Sequence, residues 1–151
     1  MSIVVAYYHV VIGTKYRHIT ISEKHKQDLY SYIGGILRKR SCNLLAINGI
    51  GNHIHLLLNL HQSVALADLI KEVKRGSSLW IKENKDRFPL FEGWGKEYAA
   101  FVVSYARKQA VIDYIARQEI HHNSEVFDQE LQRFITAHDI VYRTYSPSDD
   151  D

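Results

Sequence analysis

Residues 48–60 read NGIGNHIHLLLNL, and the reading of this stretch decides the fold. Two strand-like runs, CNLLAINGI (42–50) and HIHLLLNL (53–60), are joined by Gly51 and Asn52, so they pair as an antiparallel hairpin. Strand side chains alternate between faces. His53 and His55 therefore share one face and Ile54 takes the other. Ile54 can enter a core while both imidazoles stand on an open sheet face. On the pair alone, two readings stay open: polar tips at a sheet edge, or two nitrogens converging on a ligand.

The flanking elements frame this hairpin. SIVVAYYHVVIGT (2–14) is rich in β-branched and aromatic residues and reads as a strand. From Ser22, apolar positions Leu29, Ile33, Ile36 and Leu37 recur at helical spacing, with Arg38, Lys39 and Arg40 in the last turn, where cations suit the helix dipole. Gly34 and Gly35 lie inside this helix, which implies close packing of its backbone on the sheet. Ser63 is the expected cap of a second helix with Leu66, Leu69, Ile70, Val73, Trp80 and Ile81 inward. A loop from Lys85 to Lys96, with Gly93 and Gly95 as a hinge, leads to a fourth strand, EYAAFVVSY (97–105). ARKQAVIDYIARQEIHH (106–122) and EVFDQELQRFITAH (125–138) follow as helices.

Strand, helix, strand, strand, helix, strand is the split βαβ order. The expected fold is α+β: a ferredoxin-like or RRM-like antiparallel sheet (βαββαβ) with helices on one face and extra C-terminal helices. One domain is expected over residues 1–145, followed by a disordered acidic tail at 146–151.

Composition bounds the function. With 151 residues, 46% of them hydrophobic, there is material for one sizeable core. A net charge of +2 is too mild to announce nucleic acid, so any such case rests on where the charges sit. Single Cys42 fits a reducing compartment and reads as core. No apolar run reaches the roughly 18 residues that span a bilayer, and a cytoplasmic protein with no membrane partner is expected.

A second cluster of chemistry lies in VIDYIARQEIHH (111–122). Tyr114 and Gln118 are four residues apart, so they stack on one helix face, and Gln118 falls near the side that Val111 buries. A buried glutamine must find a hydrogen-bond partner or a metal. The helix alone is equally an amphipathic one with a tyrosine at its rim.

Taken together, these elements resemble a family. His-hydrophobe-His on a central strand, a later strand, then a helix bearing Tyr-Ile-x-x-Gln, an acidic residue and paired histidines, is similar to the small insertion-sequence transposases of the HUH single-tyrosine, TnpA-like type. The likeness runs through HVVIGTKYRH (9–18), the hairpin, LIKEVKRGSS (69–78), WGKEYAAFVVS (94–104) and YIARQEIHH (114–122). It departs at Asn52, where many relatives carry Asp.

The resemblance implies a DNA transposase that cuts and rejoins single-stranded DNA at hairpin-bearing ends, in a prokaryotic, DNA-associated setting. It implies that His53, His55 and Gln118 hold Mg²⁺ or Mn²⁺, a mixed nitrogen and oxygen set that suits either ion. It implies that Tyr114 is the nucleophile of a 5′-phosphotyrosine intermediate, and that the protein is a homodimer whose active sites are shared between subunits. DNA contact is expected from Lys15, Arg17, Lys74, Arg75 and Arg117, with Tyr16, Trp94 and Tyr98 as stacking surfaces and the hydroxyls of the GSS run (76–78) near a backbone. His121 and His122 are expected beside the site as supporting groups, whereas His9, His18, His25, His61 and His138 have no assigned partner. Two rival readings are a domesticated or relaxase- and replication-initiator-like HUH nuclease, and a non-catalytic RRM-like module that binds single strands.

Overall fold

The computed structural model describes residues 1–118, 127–137 and 146–151. Four strands, β1 (Tyr7–Gly13), β2 (Asn43–Ile50), β3 (His53–Asn59) and β4 (Ala99–Val103), form one antiparallel sheet in the order β2-β3-β1-β4. Helices α1 (Lys26–Lys39) and α2 (Leu66–Glu83) connect them as the βαββαβ order requires, and α3 (Lys108–Ala116) and α4 (Phe127–Ala137) follow. This is the expected α+β sheet with extra C-terminal helices.

Alternation along the central strands creates two cores. Val10, Ile12, Ile54, Leu56 and Leu58 pack with Leu29, Ile33 and Leu37 of α1 and with Leu69, Ile70 and Val73 of α2. On the opposite face Val11 and Phe101 meet Phe127, Leu131 and Ile135 of α4. There, Leu57 and Val103 meet Ile115 of α3. The face that carries His53 and His55 is therefore covered, and both imidazoles are fully buried. Coverage on both sides explains why Leu56, Leu57 and Leu58 run on without alternation.

Several local expectations change. The second helix begins at Leu66 after Ala65, and Ser63 instead pairs with His61 before it. The Lys85–Lys96 loop is anchored rather than hinge-like: Phe88 and Trp94 are buried, Trp94 bridges Thr14, and Gly95 N–H donates to Gly13 O at 2.8 Å. The acidic tail, read as disordered, forms a short 3-10 turn at Pro147–Asp150 with a Ser146 capping box. Its buried Asp150 accepts from the backbone N–H groups of Tyr16 (3.0 Å) and Lys96 (2.9 Å), so two loop donors hold the carboxylate in place. Among the described residues no helix is long and apolar enough to cross a membrane.

Two glycines sit where backbone or side chains come close, and one of them is required by space. A Cβ at Gly34 would meet Leu44 of β2 only at ordinary contact distance, so the packing of α1 on the sheet does not demand glycine there. At Gly49, opposite Ile54 in the hairpin, a Cβ would stand 2.2 Å from His53 O and 2.8 Å from Ile54 Cα, both backbone atoms. Gly49→Ala is therefore expected to lower unfolding stability by roughly 1–3 kcal/mol, as overpacking does. Urea denaturation of the variant against the parent measures it.

Candidate active site

The site is built from three elements. β3 supplies His53 and His55, α3 supplies Tyr114, and α4 lies across the sheet between them. On α4 the apolar stripe of Phe127, Leu131, Phe134 and Ile135 includes one acid, Glu130, three residues after Phe127 and four before Phe134. Its side chain is essentially inaccessible to solvent. A carboxylate there must be paired, since unpaired burial of a charge is costly.

Its partners are the histidine pair and the tyrosine. Glu130 Oε1 lies 2.8 Å from His55 Nε2 and 3.4 Å from His53 Nε2. Glu130 Oε2 accepts a hydrogen bond from the Tyr114 hydroxyl. Burial alone would raise the Glu130 carboxyl, but hydrogen bonds from His53, His55 and Tyr114 hold it well below the usual carboxylate range. The Tyr114 phenol moves the other way: burial first, then the Glu130 hydrogen bond and charge, push it well above its ordinary value, opposed by Arg133 and Gln118.

Each imidazole is also held from behind. His53 Nδ1–H donates to Asn52 Oδ1 at 2.8 Å, and the His53 ring stacks on Phe127 at 4.0 Å and 3°. Asn52 thus fills the orienting role left in doubt by the departure from Asp. His55 Nδ1 pairs with His9 Nε2 at 2.7 Å, and His9 is itself buried. An imidazole behind an imidazole can donate or accept. His9 therefore supports His55 whether Nε2 carries a proton toward Glu130 or offers its lone pair.

The inner nitrogens of His53 and His55 and an oxygen of Glu130 lie within 4.8 Å of one another. Two nitrogens and one carboxylate oxygen, converging and fixed by Asn52 and His9, can hold a divalent cation. Gln118 is fully buried and lies close enough to the Tyr114 hydroxyl to oppose the rise in its pKa, so the amide expected at the site is beside that phenol. It is not stacked on the same uninterrupted helix: α3 ends at Ala116, with Arg117 as its cap. All these groups meet within one chain.

The expected DNA contacts separate. Arg17 lies next to the site, its guanidinium 4.7 Å over the Phe127 ring that stacks on His53, and Lys15 flanks it over Tyr16. Arg117 is exposed at the end of α3. Arg75 lies on α2 with Lys71 and Glu72, facing Arg40 at the end of α1, on the other side of the sheet. Lys74 is turned inward: its ammonium donates to the carbonyls of Gly95, Lys96 and Glu97, which uses all three N–H bonds. Burial lowers its pKa. Trp94 is core, donating to buried Ser77 Oγ at 2.9 Å, so neither that ring nor that hydroxyl is a DNA surface. Tyr98 remains half-exposed, and Tyr16 donates to Asp151. His121, His122 and His138 lie outside the described residues.

Sequence reasoning missed three groups: Glu130, Arg133 and His9. Glu130 had a signal, an acid on an apolar helical stripe. His9 shares its strand face with Val11, and Val11 pairs with His55 in register, so His9 is a diagonal neighbour of the pair. Arg133, whose Nη2 donates to the Tyr114 oxygen at 3.0 Å, had none.

Comparison with known proteins places the fold in a class. A solved REP-associated tyrosine transposase bound to a REP hairpin superposes with a TM-score of 0.61 at 13% identity, covering 97% of this chain and 91% of that one. A crystal structure assigned as a transposase from Deinococcus radiodurans gives 0.61 at 23% identity, covering 78% and 93%. The ISDra2 transposase TnpA of Deinococcus radiodurans is 24% identical over 115 residues, 74% of this chain and 82% of that protein. Residues 2–118 match the family described as Transposase IS200 like, and the chain belongs to that family.

His9→Ala is expected to weaken binding of Mn²⁺ by about 10–100-fold, the usual effect of losing a partner behind a metal ligand. Calorimetric titration of the folded variant checks this. Unchanged affinity would remove His9 from the site.

Proposed function

We propose that this transposase cuts and rejoins single-stranded DNA at hairpin-bearing ends through a covalent 5′-phosphotyrosine on Tyr114. The observation that carries the reading is the single carboxylate, Glu130, that touches both imidazoles with one oxygen and the Tyr114 hydroxyl with the other. A nucleophile of the right kind thus sits within one residue's reach of a cation-binding set.

His53, His55 and Glu130 would hold Mg²⁺ or Mn²⁺, with the Gln118 amide oxygen as a further ligand. When bound, the ion would polarise the scissile phosphate and stabilise charge on the leaving oxygen. The protein's own part is to position and deprotonate. Because burial and Glu130 keep the phenol protonated, its proton must leave as the oxygen attacks, and Glu130 Oε2, already its hydrogen-bond acceptor, orients that proton and passes it on to water rather than keeping it. The bond from Tyr114 oxygen to phosphorus forms as the bond to the 3′-oxygen breaks, and the departing 3′-oxygen takes a proton from water to become the 3′-hydroxyl. Attack by another 3′-hydroxyl reverses the step and joins strands. Arg17 and Lys15 flank this centre and, with exposed Arg117 at the end of α3, suit a phosphate backbone.

The homodimer remains part of the proposal, with Tyr114 serving the histidine pair of its own chain in the arrangement described. An RRM-like module would need its sheet face open for bases to stack, and here α3 and α4 cover that face.

Incubation of a hairpin-bearing single-stranded oligonucleotide with Mn²⁺ or Mg²⁺ is expected to give a denaturation-resistant protein–DNA adduct, absent with chelator and with Tyr114→Phe. The Phe variant should bind the same oligonucleotide with affinity within a few-fold of the parent. An adduct that persists in Tyr114→Phe would contradict the assignment.

A further inference from the structure

The family match ends at residue 118, yet one turn of α4 presents two groups to the nucleophile. Glu130 contacts the Tyr114 oxygen from the buried side. Arg133, three residues on, contacts it from the exposed side, with Nη2 donating at 3.0 Å. The guanidinium also packs over the rings of Tyr114 (5.5 Å) and Phe134 (5.0 Å), which fixes its plane beside the hydroxyl.

We propose that Arg133 is a catalytic residue that clamps the scissile phosphate at the mouth of the site. The inference rests on the phosphotyrosine reading above. The inner end of the site is filled by His53, His55, Glu130 and Gln118, all fully buried, and among the described residues Arg133 stands exposed on the opposite, open side of Tyr114. Attack requires phosphorus to come into bonding contact with the Tyr114 oxygen. The non-bridging phosphate oxygens then fall within hydrogen-bond reach of a guanidinium already bonded to that oxygen. The planar fork of arginine matches two phosphate oxygens, and its charge is retained at every working pH. As substrate arrives, the N–H now given to the phenol transfers to phosphate, on the side away from the histidines. The negative charge that builds on those oxygens during attack is stabilised by a donor that need not move far.

The test uses a hairpin oligonucleotide that the wild-type protein cleaves, with the scissile phosphate located from the adduct. Arg133→Ala is expected to form adduct about 100-fold more slowly, the scale of losing one such donor, and Arg133→Lys to recover part of the rate. Binding is then measured in the Tyr114→Phe background, with and without Arg133→Ala, across a salt series. With the native phosphodiester, the arginine substitution should flatten the slope of log K against log salt by about 0.7, the value for one single-strand phosphate contact. With a neutral methylphosphonate at the scissile position, it should leave the slope unchanged. Equal adduct rates for Arg133→Ala and wild type, or a slope change that is the same for both oligonucleotides, would overturn the clamp. If wild type forms no adduct with any hairpin substrate, the phosphotyrosine reading itself fails and the clamp falls with it.

Discussion

The site depends on one buried carboxylate answered by two imidazoles. Glu130 is carried into an apolar interface by Phe127, Leu131 and Ile135, and an unpaired charge there would cost several kcal/mol even after relaxation. His53 and His55 remove that penalty, and Tyr114 takes the remaining oxygen. The seating of α4 on the sheet and the assembly of the polar cluster are therefore one event. Neither the helix nor the strand can be satisfied at this point without the other.

That coupling organises the rest of the molecule. The sheet is covered on both faces, so β3 between its histidines and the terminal Asn59 is apolar throughout. Polar groups on the covered side are then obliged to find each other: Asn52 and His9 behind the imidazoles, Gln118 and Arg133 around the phenol. The paired imidazoles, carboxylate and phenol lock one another in place, a rigidity that suits the attack proposed for the Tyr114 oxygen. The loops at the same end are tied down by backbone contacts, Gly95 to Gly13 and Thr14 to Asn52, and by Asp150 capping Tyr16 and Lys96.

Much of this was legible in the sequence. The hairpin at 48–60 and the order of periodic segments give the βαββαβ sheet, because turn chemistry and hydrophobic period are local properties. His53 and His55 share a face by strand alternation alone, and a glutamine on the buried side of a helix, Gln118, had to have a partner. What failed was non-local. The unbroken Leu56–Leu58 run already signalled cover on both faces, but a sheet with one open face was expected, so the helix that brings Glu130 was left without a role. Lys74 illustrates the reverse error: it has the composition of a phosphate contact, yet three loop carbonyls claim it. Charge type is visible in sequence; which groups compete for the charge is not. The tail misled for the same reason, since DDD reads as solvated until Asp150 meets two loop N–H groups.

The most direct measurement is the anomalous scattering of Mn²⁺ in crystals of the protein grown with that ion. The account predicts one strong peak about 2.1 Å from the inner nitrogens of His53 and His55 and from a carboxylate oxygen of Glu130, with the Tyr114 hydroxyl beside it. A peak held elsewhere, or one that leaves Glu130 out of contact, would contradict the claim that a single acid joins the ion-binding pair to the nucleophile.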